Sequence, residues 1–475
     1  MLDCLKTFVF PKLTDMYGNS IPKITELKVL ANMVMRGIKI IHRIPVKGSP
    51  LEYIQLPVGK GGLGVACPNI TALTTFLVST LKKLWSEDPY IRRLYREYLT
   101  VVVQYELGKR KEDVTIHDSA SYLSNELPSK KDAFGYNCYA RVKEVCRGLS
   151  QNQDSPLHKL KFTVVNHNLA LLVQATESSS QKVYTELDIK RLQKNLKNQF
   201  ITAQLHRFLV EKPVKSQVVK VIQQHPQSNS FVRTGGKVSL ACHNFVHRAR
   251  LNMLSCNYNT FDKTQSKSCR RCGYMNESQT HILQSCTYGM ANFITARHDA
   301  VLHKVKSMVE KGGKKDWSLT IDEELPGYTR LRPDIYMQSP DKKSVLIADV
   351  SIPYENGIEA IQESWNKKML KYEEGFKHLK DQGIQLTALP IIIGLLGTWW
   401  TPTTNSLMEL GISKAATRKI TPELCSTVLE HSKNIYWKHI FGDSYKPVPI
   451  RYGFETPEGN QWKKERKPLP EPLNA

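Results

Sequence analysis

The spacing of apolar residues predicts a strand hairpin near position 345. In the segment that ends with Leu-Ile-Ala-Asp-Val at 346–350, Val345 and Ile347 lie two residues apart, and Asp349 continues their row. Side chains two apart along a strand share one face, so Asp349 is expected on the same side as the two apolar residues. The turn chemistry of Ser339-Pro340-Asp341 predicts an antiparallel pairing with the strand before it.

Other parts of the chain follow helical or extended patterns. Residues 1–105 carry apolar residues at helical spacing and predict a compact, mostly helical domain. Gln385–Trp400 is predicted to be a further apolar strand, and Thr404–Phe441 to be helical. Trp399 and Trp400 are either core residues or aromatic platforms for bases. The expected fold class is therefore α+β with several domains.

Two carboxylates are predicted to meet at the open end of the hairpin. Asp334 lies about as far before the turn as Asp349 lies after it, so antiparallel pairing brings them to one end. Paired carboxylates are hard oxygen ligands for a divalent cation such as Mg²⁺, with the Val350 carbonyl as a further candidate ligand. Such an ion activates water and stabilises charge on a phosphate. The competing interpretation is that each aspartate is a strand cap or a strand-end turn residue.

A helix after the second strand is predicted to add cations to this end of the hairpin. Lys368, Lys371 and Tyr372 are spaced at i, i+3 and i+4, so they share one helix face. A lysine beside a bound metal ion can pair with a phosphate oxygen or orient the attacking water. Two carboxylates followed by such a lysine face are typical of a metal-dependent nuclease of the restriction-enzyme-like class.

The composition favours a polyanionic partner. The 475 residues have a net charge of +23 and a pI of about 9.5, which suits nucleic acid better than an anionic membrane. No stretch reaches the roughly eighteen apolar residues that a membrane span needs. The N-terminus lacks a basic region followed by an apolar core, so no signal peptide is expected. Ten cysteines in such a chain suggest reduced thiols, some of them metal ligands, and a nuclear location.

Positive charge is concentrated between Lys190 and Arg250. This window contains twelve lysines and arginines and a single acid, Glu211. A run of charge is usually a solvated face, but this imbalance favours phosphate binding. The predicted nucleic-acid contacts form a helical stripe of four residues, Lys190, Arg191, Lys194 and Lys197.

Four cysteine and histidine residues have the spacing of a zinc knuckle. The pattern is C-x2-C-x8-H-x4-C, and its members are Cys269, Cys272, His281 and Cys286. Two thiolates three positions apart grip Zn²⁺, and the later pair completes a tetrahedron with no open position, as in structural sites. Arg270 and Arg271 lie between the first two cysteines and are predicted to face backbone phosphates. The alternative is four unrelated buried residues.

The order of these features resembles the C-terminal half of site-specific non-LTR retrotransposon proteins that carry a restriction-like endonuclease. The N-terminal segments Phe8–Pro11 and Leu56–Val65 are similar to the thumb end of their reverse transcriptases. The endonuclease pattern of that family is Lys/Arg-Pro-Asp, then Asp/Glu, then a Lys-x-x-Lys-Tyr helix. In this chain the pattern falls on Arg332, Pro333, Asp334, Asp349, Lys368, Lys371 and Tyr372. Arg297 and His298 are also family-like, but no chemistry is assigned to them.

The resemblance implies a domain organisation and an activity. The polymerase palm is missing, since no Asp-Asp dipeptide occurs, so no reverse transcriptase activity is expected from this chain alone. The implied activity is Mg²⁺-dependent nicking of duplex target DNA, which primes reverse transcription of the element RNA. Lys368 or Lys371 would stabilise the phosphate charge, Tyr372 would position it, and Arg332 would contact nucleic acid. The implied domains are a thumb-like domain at 1–105, a basic helical linker at 106–250, a zinc knuckle at 251–300, a restriction-like endonuclease core at 301–445 and a basic tail at 446–475.

Two other functions compete with this expectation. In the first, the zinc knuckle and the basic window bind RNA or DNA, while the nuclease core has decayed in a dead element copy. In the second, weaker one, the chain is a cellular resolvase or repair nuclease, against which the thumb-like N-terminus argues.

Overall fold

The computed structural model describes residues 5–127, 137–151, 155–234, 238–260, 264–322, 332–372 and 381–447. These residues form an α+β protein that is rich in helix and has two small sheets, which confirms the coarse fold class. The predicted tail beyond residue 447 lies outside the described residues. Among the described helices, none combines the length and the apolar character that a bilayer span requires.

The helices occupy most of both halves of the chain. In the first half they are Phe10–Tyr17, Ile24–Ile41, Leu51–Gln55, Pro68–Leu84, Pro89–Leu107, Ile116–Leu123, Cys138–Ser150, Leu192–Glu211 and Pro213–Ile222. In the second half they are Ser230–Thr234, Leu240–Arg250, Ala291–Gly312, Ile358–Leu370, Pro402–Glu409 and Lys414–Phe441. The helical expectation for residues 1–105 matches these bounds, whereas the segment Thr404–Phe441, predicted as helical, is divided between two helices with a break at residues 410–413.

A three-stranded antiparallel meander interrupts the region that was predicted to be a helical linker. Its strands are β1 (Lys159–Val165), β2 (Asn168–Gln174) and β3 (Lys182–Tyr184). The tight turn between β1 and β2 uses left-handed backbone at Asn166 and His167, which asparagine and histidine tolerate better than most residues. Buried residues of this sheet pack with the N-terminal helices in one core, so residues 106–250 are not a helical linker.

The second sheet has four strands in the order β4-β5-β6-β7. The strands are β4 (Ser318–Ile321), β5 (Ile335–Gln338), β6 (Ser344–Ser351) and β7 (Gln385–Ile392). β5 and β6 form the predicted antiparallel hairpin, with Ile335 opposite Ala348. β7 runs parallel to β6, and helix Ile358–Leu370 lies in the connection between them, since parallel neighbours require a crossover. β6 is therefore central, and its end is where the candidate residues meet.

The hydrophobic cores cross the predicted domain boundaries. Leu99 and Val102 lie in the same buried cluster as Leu160 and Phe162 of β1, so packing continues past residue 105. A second cluster joins the cysteine-rich segment to the four-stranded sheet and to the last long helix. Trp399 and Trp400 are 1% and 7% exposed, which makes them core residues and leaves no face for base stacking.

The fully buried Arg250 donates hydrogen bonds to two backbone carbonyls, those of Leu396 and Ser228. Arg250 is 0% exposed and donates from Nε and Nη2 to the Leu396 carbonyl, at 3.1 and 2.8 Å. Its guanidinium also bonds the Ser228 carbonyl at 3.0 Å. The buried carboxylate of Glu355 accepts the backbone N–H of the same residue, Leu396, which belongs to the preceding peptide group. Arg250 belongs to the basic window, but its charge is used inside the protein and not for phosphate binding.

Candidate active site and metal cluster

Asp349 is the centre of the candidate site. It lies near the end of β6 and is 3% exposed. Its Oδ1 accepts from Lys368 Nζ at 2.6 Å, and its Oδ2 accepts from Lys371 Nζ at 2.7 Å and from Tyr372 Oη at 2.7 Å. Burial tends to raise the pKa of Asp349, but the two ammonium groups and the phenol outweigh it and hold this pKa at about 2. Asp349 is therefore a buried anion whose charge is balanced by two lysines and which also accepts a hydrogen bond from a phenol.

The crossover helix delivers these three residues. Helix Ile358–Leu370 begins after Gly357, whose φ of 87° is the left-handed conformation that glycine adopts readily. Lys368 lies in its last turn, and Lys371 follows at the C-cap, where positive charge also suits the helix dipole. Tyr372 is 1% exposed and packs with Val345 and Ile347 of β6. The row predicted from strand periodicity is thus the surface that Tyr372 covers.

Asp334 stands beside Asp349 across the hairpin. It immediately precedes β5, and its Oδ2 accepts the backbone N–H of Val350 at 2.6 Å. Burial raises the pKa of Asp334, and the neighbouring Asp349 carboxylate raises it further. The hairpin therefore brings both aspartates to one end, as the sequence predicted. Two adjacent carboxylates form a donor set that fits a divalent cation.

His298, to which the sequence assigns no chemistry, lies beside Asp334 and so belongs to the candidate site. His298 Nε2 lies 3.1 Å from Asp334 Oδ2, and its Nδ1 lies 3.2 Å from Asp299 Oδ1. The hydrogen bond to Asp334 raises the pKa of His298 to about 9, so its imidazole carries a proton at neutral pH. His298 lies on helix Ala291–Gly312, far before the hairpin in sequence, and no spacing pattern links it to Asp334.

The predicted cysteine and histidine ligands come together as a cluster. The ligand atoms of Cys269, Cys272, His281 and Cys286 all lie within 4.8 Å of one another, so these residues could hold a metal ion. Cys269 Sγ is 3.9 Å from Cys286 Sγ, and Cys272 Sγ is 3.3 Å from His281 Nε2. Gly273, at a φ of 74°, lets the chain reverse directly after the second cysteine.

The surroundings of this cluster differ from the prediction for its arginines. Arg270 pairs with the fully buried Glu277 at 2.7 Å, because a buried carboxylate needs a counter-charge. Arg271 donates from Nε to the His439 carbonyl at 2.7 Å. Both guanidinium groups are engaged within the protein, contrary to the expectation that they face phosphates. The imidazole of His439 also contacts the cluster, with Nε2 at 3.2 Å from Cys269 Sγ, which no spacing rule indicated.

The other predicted nucleic-acid contacts lie on the surface. Lys190, Arg191, Lys194 and Lys197 are all exposed at the start of helix Leu192–Glu211. Lys190 pairs with Glu87 at 3.0 Å, but both side chains are more than 80% exposed, so this pair is weak. The exposed Arg332 bonds the Asp322 carboxylate at 2.8 Å, close to the candidate site. These positions leave a cationic surface on the helix.

Comparison with known proteins places the chain in a family. A family model described as the T26G10.4 domain matches residues 74–253. A protein of Caenorhabditis elegans, uncharacterized protein T26G10.4, is 53% identical over 256 residues, which cover 54% of this chain and 73% of the relative. The chain therefore belongs to the T26G10.4 family. The segment matched by the family model ends before Cys269 and before both aspartates of the candidate site.

Proposed function

We propose that the Asp334–Asp349 site is a metal-dependent nuclease centre that nicks DNA. The observation that carries this proposal is the buried Asp349 carboxylate, held by Lys368, Lys371 and Tyr372 and flanked by Asp334. Clusters of buried, charge-coupled groups with perturbed pKa values are typical of catalytic sites. The net charge of +23 supports a polyanionic substrate.

Asp334 and Asp349 are the residues that would hold Mg²⁺. A bound ion there would supply an activated water and charge stabilisation at the phosphate. Both Asp349 oxygens accept bonds from the lysines and the tyrosine, so these partners would have to give way to a bound cation. Lys368 and Lys371, each partly exposed, would then be available to contact a phosphate oxygen. His298, which holds a proton, orients Asp334 through their hydrogen bond.

The wider proposal follows from the order of the segments. The exposed stripe from Lys190 to Lys197 would bind duplex target DNA or an element RNA through backbone phosphates. In this proposal the chain is the endonuclease portion of a non-LTR retrotransposon protein, acts in the nucleus, and makes the nick that primes reverse transcription. The support for this context is the sequence resemblance together with the juxtaposition of the residues that carry it.

A comparison of neighbouring lysines tests the nuclease proposal. We expect Lys371→Met to slow Mg²⁺-dependent nicking of supercoiled plasmid by about 10²-fold, as removal of one charge-stabilising donor does in other active sites. Lys367→Met is the matched control, because Lys367 lies on the same helix but pairs with Glu363 at the surface. This control should nick at the wild-type rate.

Three results would contradict the nuclease proposal. The first is nicking that survives EDTA, and the second is an equal rate in Lys371→Met and wild type. The third is salt-sensitive DNA binding by wild type without any turnover, which would favour the binding function. That outcome has its own support, because the two lysines already balance the charge of Asp349.

We further propose that the cysteine–histidine cluster binds Zn²⁺ as a structural site. Three sulfur ligands and one imidazole nitrogen are a common tetrahedral set for this ion. Cys272→Ser is expected to lower the zinc content of the purified chain by about one ion, measured by mass spectrometry of the acid-released metal. Cys425→Ser is the control, since Cys425 is buried in the last long helix and is not one of the cluster residues. The zinc content of the Cys425→Ser variant should equal that of wild type. An unchanged content in Cys272→Ser would refute the assignment.

A further inference from the structure

Three histidines from distant parts of the sequence converge inside the protein. His42 follows helix Ile24–Ile41, while His243 and His247 lie one turn apart on helix Leu240–Arg250. One nitrogen of each ring lies within 4.8 Å of the other two. The Nε2 atoms of His243 and His247 are 3.5 Å apart, so these two nitrogens face each other.

The three rings are set in a mostly buried environment. His42 is 6% exposed and His247 is 0% exposed, while His243 is half-buried, so part of it is accessible to solvent. Phe231 packs against His243 and His247 with ring centroids 5.6 and 5.8 Å away. Burial and these ring contacts leave the three ring nitrogens facing one another inside the protein, where they can share one ion.

A tyrosine holds one of these imidazoles from behind. Tyr53 Oη lies 2.8 Å from His247 Nδ1, and Tyr53 is 1% exposed. The Tyr53 hydroxyl oxygen can accept a hydrogen bond from this nitrogen. When Nδ1–H of His247 donates to this oxygen, the Nε2 lone pair points into the cluster. Metal-binding histidines characteristically have such a partner on the other nitrogen.

We propose that His42, His243 and His247 form a second metal site, which takes a zinc-class divalent ion. Three imidazoles suit a borderline transition metal, and three protein ligands leave a coordination position for water. This site is separate from the cysteine cluster and does not depend on it. It would tie the N-terminal helices to helix Leu240–Arg250, which packs on the C-terminal half.

The test uses the full chain, stripped with chelator and reloaded with Co²⁺ in the Cys272→Ser background. Cys269 and Cys286 remain in this variant, so a sulfur-to-cobalt charge-transfer band would mark any Co²⁺ still held at the cysteine cluster. At the histidine site we expect about one Co²⁺ per chain with d–d absorption and no such band, since its three ligands are imidazoles. Adding His243→Asn should abolish this binding. His225→Asn is the matched control, because His225 is also buried but contacts Thr401 and Trp400, and it should leave the bound Co²⁺ unchanged.

Two readouts keep this proposal open to refutation whatever happens at the cysteine cluster. Co²⁺ that has d–d absorption without a sulfur-to-cobalt band and persists in the His243→Asn double variant would overturn it, as would the absence of such Co²⁺ in Cys272→Ser. If the His243→Asn variant fails to fold by circular dichroism, His42→Asn replaces it. Added Zn²⁺ should raise the melting temperature of Cys272→Ser, and it should have no effect once His42 or His243 is replaced.

Discussion

Asp349→Asn is expected to reduce DNA nicking by more than about 10³-fold, the upper range for loss of one electrostatic group in an active site. The substitution removes the negative charge that would hold Mg²⁺ and that organises both lysines and the tyrosine. Lys368 and Lys371 are then left as two neighbouring cations without their shared carboxylate. The measurement is the single-turnover rate of plasmid nicking in Mg²⁺.

A loss of stability accompanies this loss of activity. The pKa of Asp349 is held at about 2, below its ordinary value of 3.8. The interactions of the ionised carboxylate therefore stabilise the folded protein fully when the pH is above this ordinary pKa. The difference corresponds to stabilisation on the order of 2 kcal/mol near neutral pH. This contribution disappears as the pH falls through 2, so wild type and Asp349→Asn should converge in acid. Urea unfolding of the metal-free proteins measures the gap.

The control for Asp349→Asn is an aspartate at the surface. Asp316→Asn changes an exposed aspartate just before β4, and it should keep both the nicking rate and the unfolding midpoint. A circular dichroism melt at the assay temperature shows whether Asp349→Asn is folded when its rate is measured. A folded Asp349→Asn protein that nicks as fast as wild type would mean that the site does not cut DNA.

Arg250→Met is expected to destabilise the protein by about 3–5 kcal/mol, the range for breaking a buried charge network. The guanidinium holds the carbonyls of Leu396 and Ser228, and its loss leaves both without these donors. The substitution also removes a positive charge that favours the ionised form of Glu355. The Glu355 carboxylate would stay buried and would keep its hydrogen bond from the Leu396 N–H.

Arg248→Met gives the comparison for this effect. Arg248 lies two residues earlier on the same helix and makes a long bond of 3.4 Å to Ser255, so its replacement should cost under about 1 kcal/mol. The measurement is the urea midpoint of the full chain at constant zinc concentration. A change below about 1 kcal/mol in Arg250→Met would show that the buried network contributes little to folding.

Local patterns were sufficient for the parts of the site that lie close together in sequence. Period-two spacing placed Asp349 in the row of Val345 and Ile347. Helical spacing predicted one shared side for Lys368, Lys371 and Tyr372, and all three do reach Asp349, although the helix itself ends at Leu370. The turn at Ser339 fixed the hairpin and so brought Asp334 to the same end. In each case the geometry is set by fewer than twenty intervening residues of regular structure.

Contacts between distant segments were beyond reach of the same reasoning. His298 reaches Asp334, and His439 reaches Cys269, only because separate helices pack against the sheet and the cysteine cluster. The meander from β1 to β3 was missed although Leu160 and Phe162 alternate with Lys159 and Lys161 along β1, a period-two pattern that predicts a strand. Arg270 and Arg250 illustrate the same limit, since a sequence does not show which cations find buried partners.

The long helix Lys414–Phe441 joins the two candidate centres physically. Near its end His439 contacts Cys269, and two turns earlier Ser432 accepts a hydrogen bond from Arg297, whose neighbour His298 contacts Asp334. This single helix thus sets the distance from the cysteine–histidine cluster to the carboxylate of Asp334. A structural ion at the sulfur cluster would therefore also hold the carboxylates in place, through His439, Ser432 and Arg297.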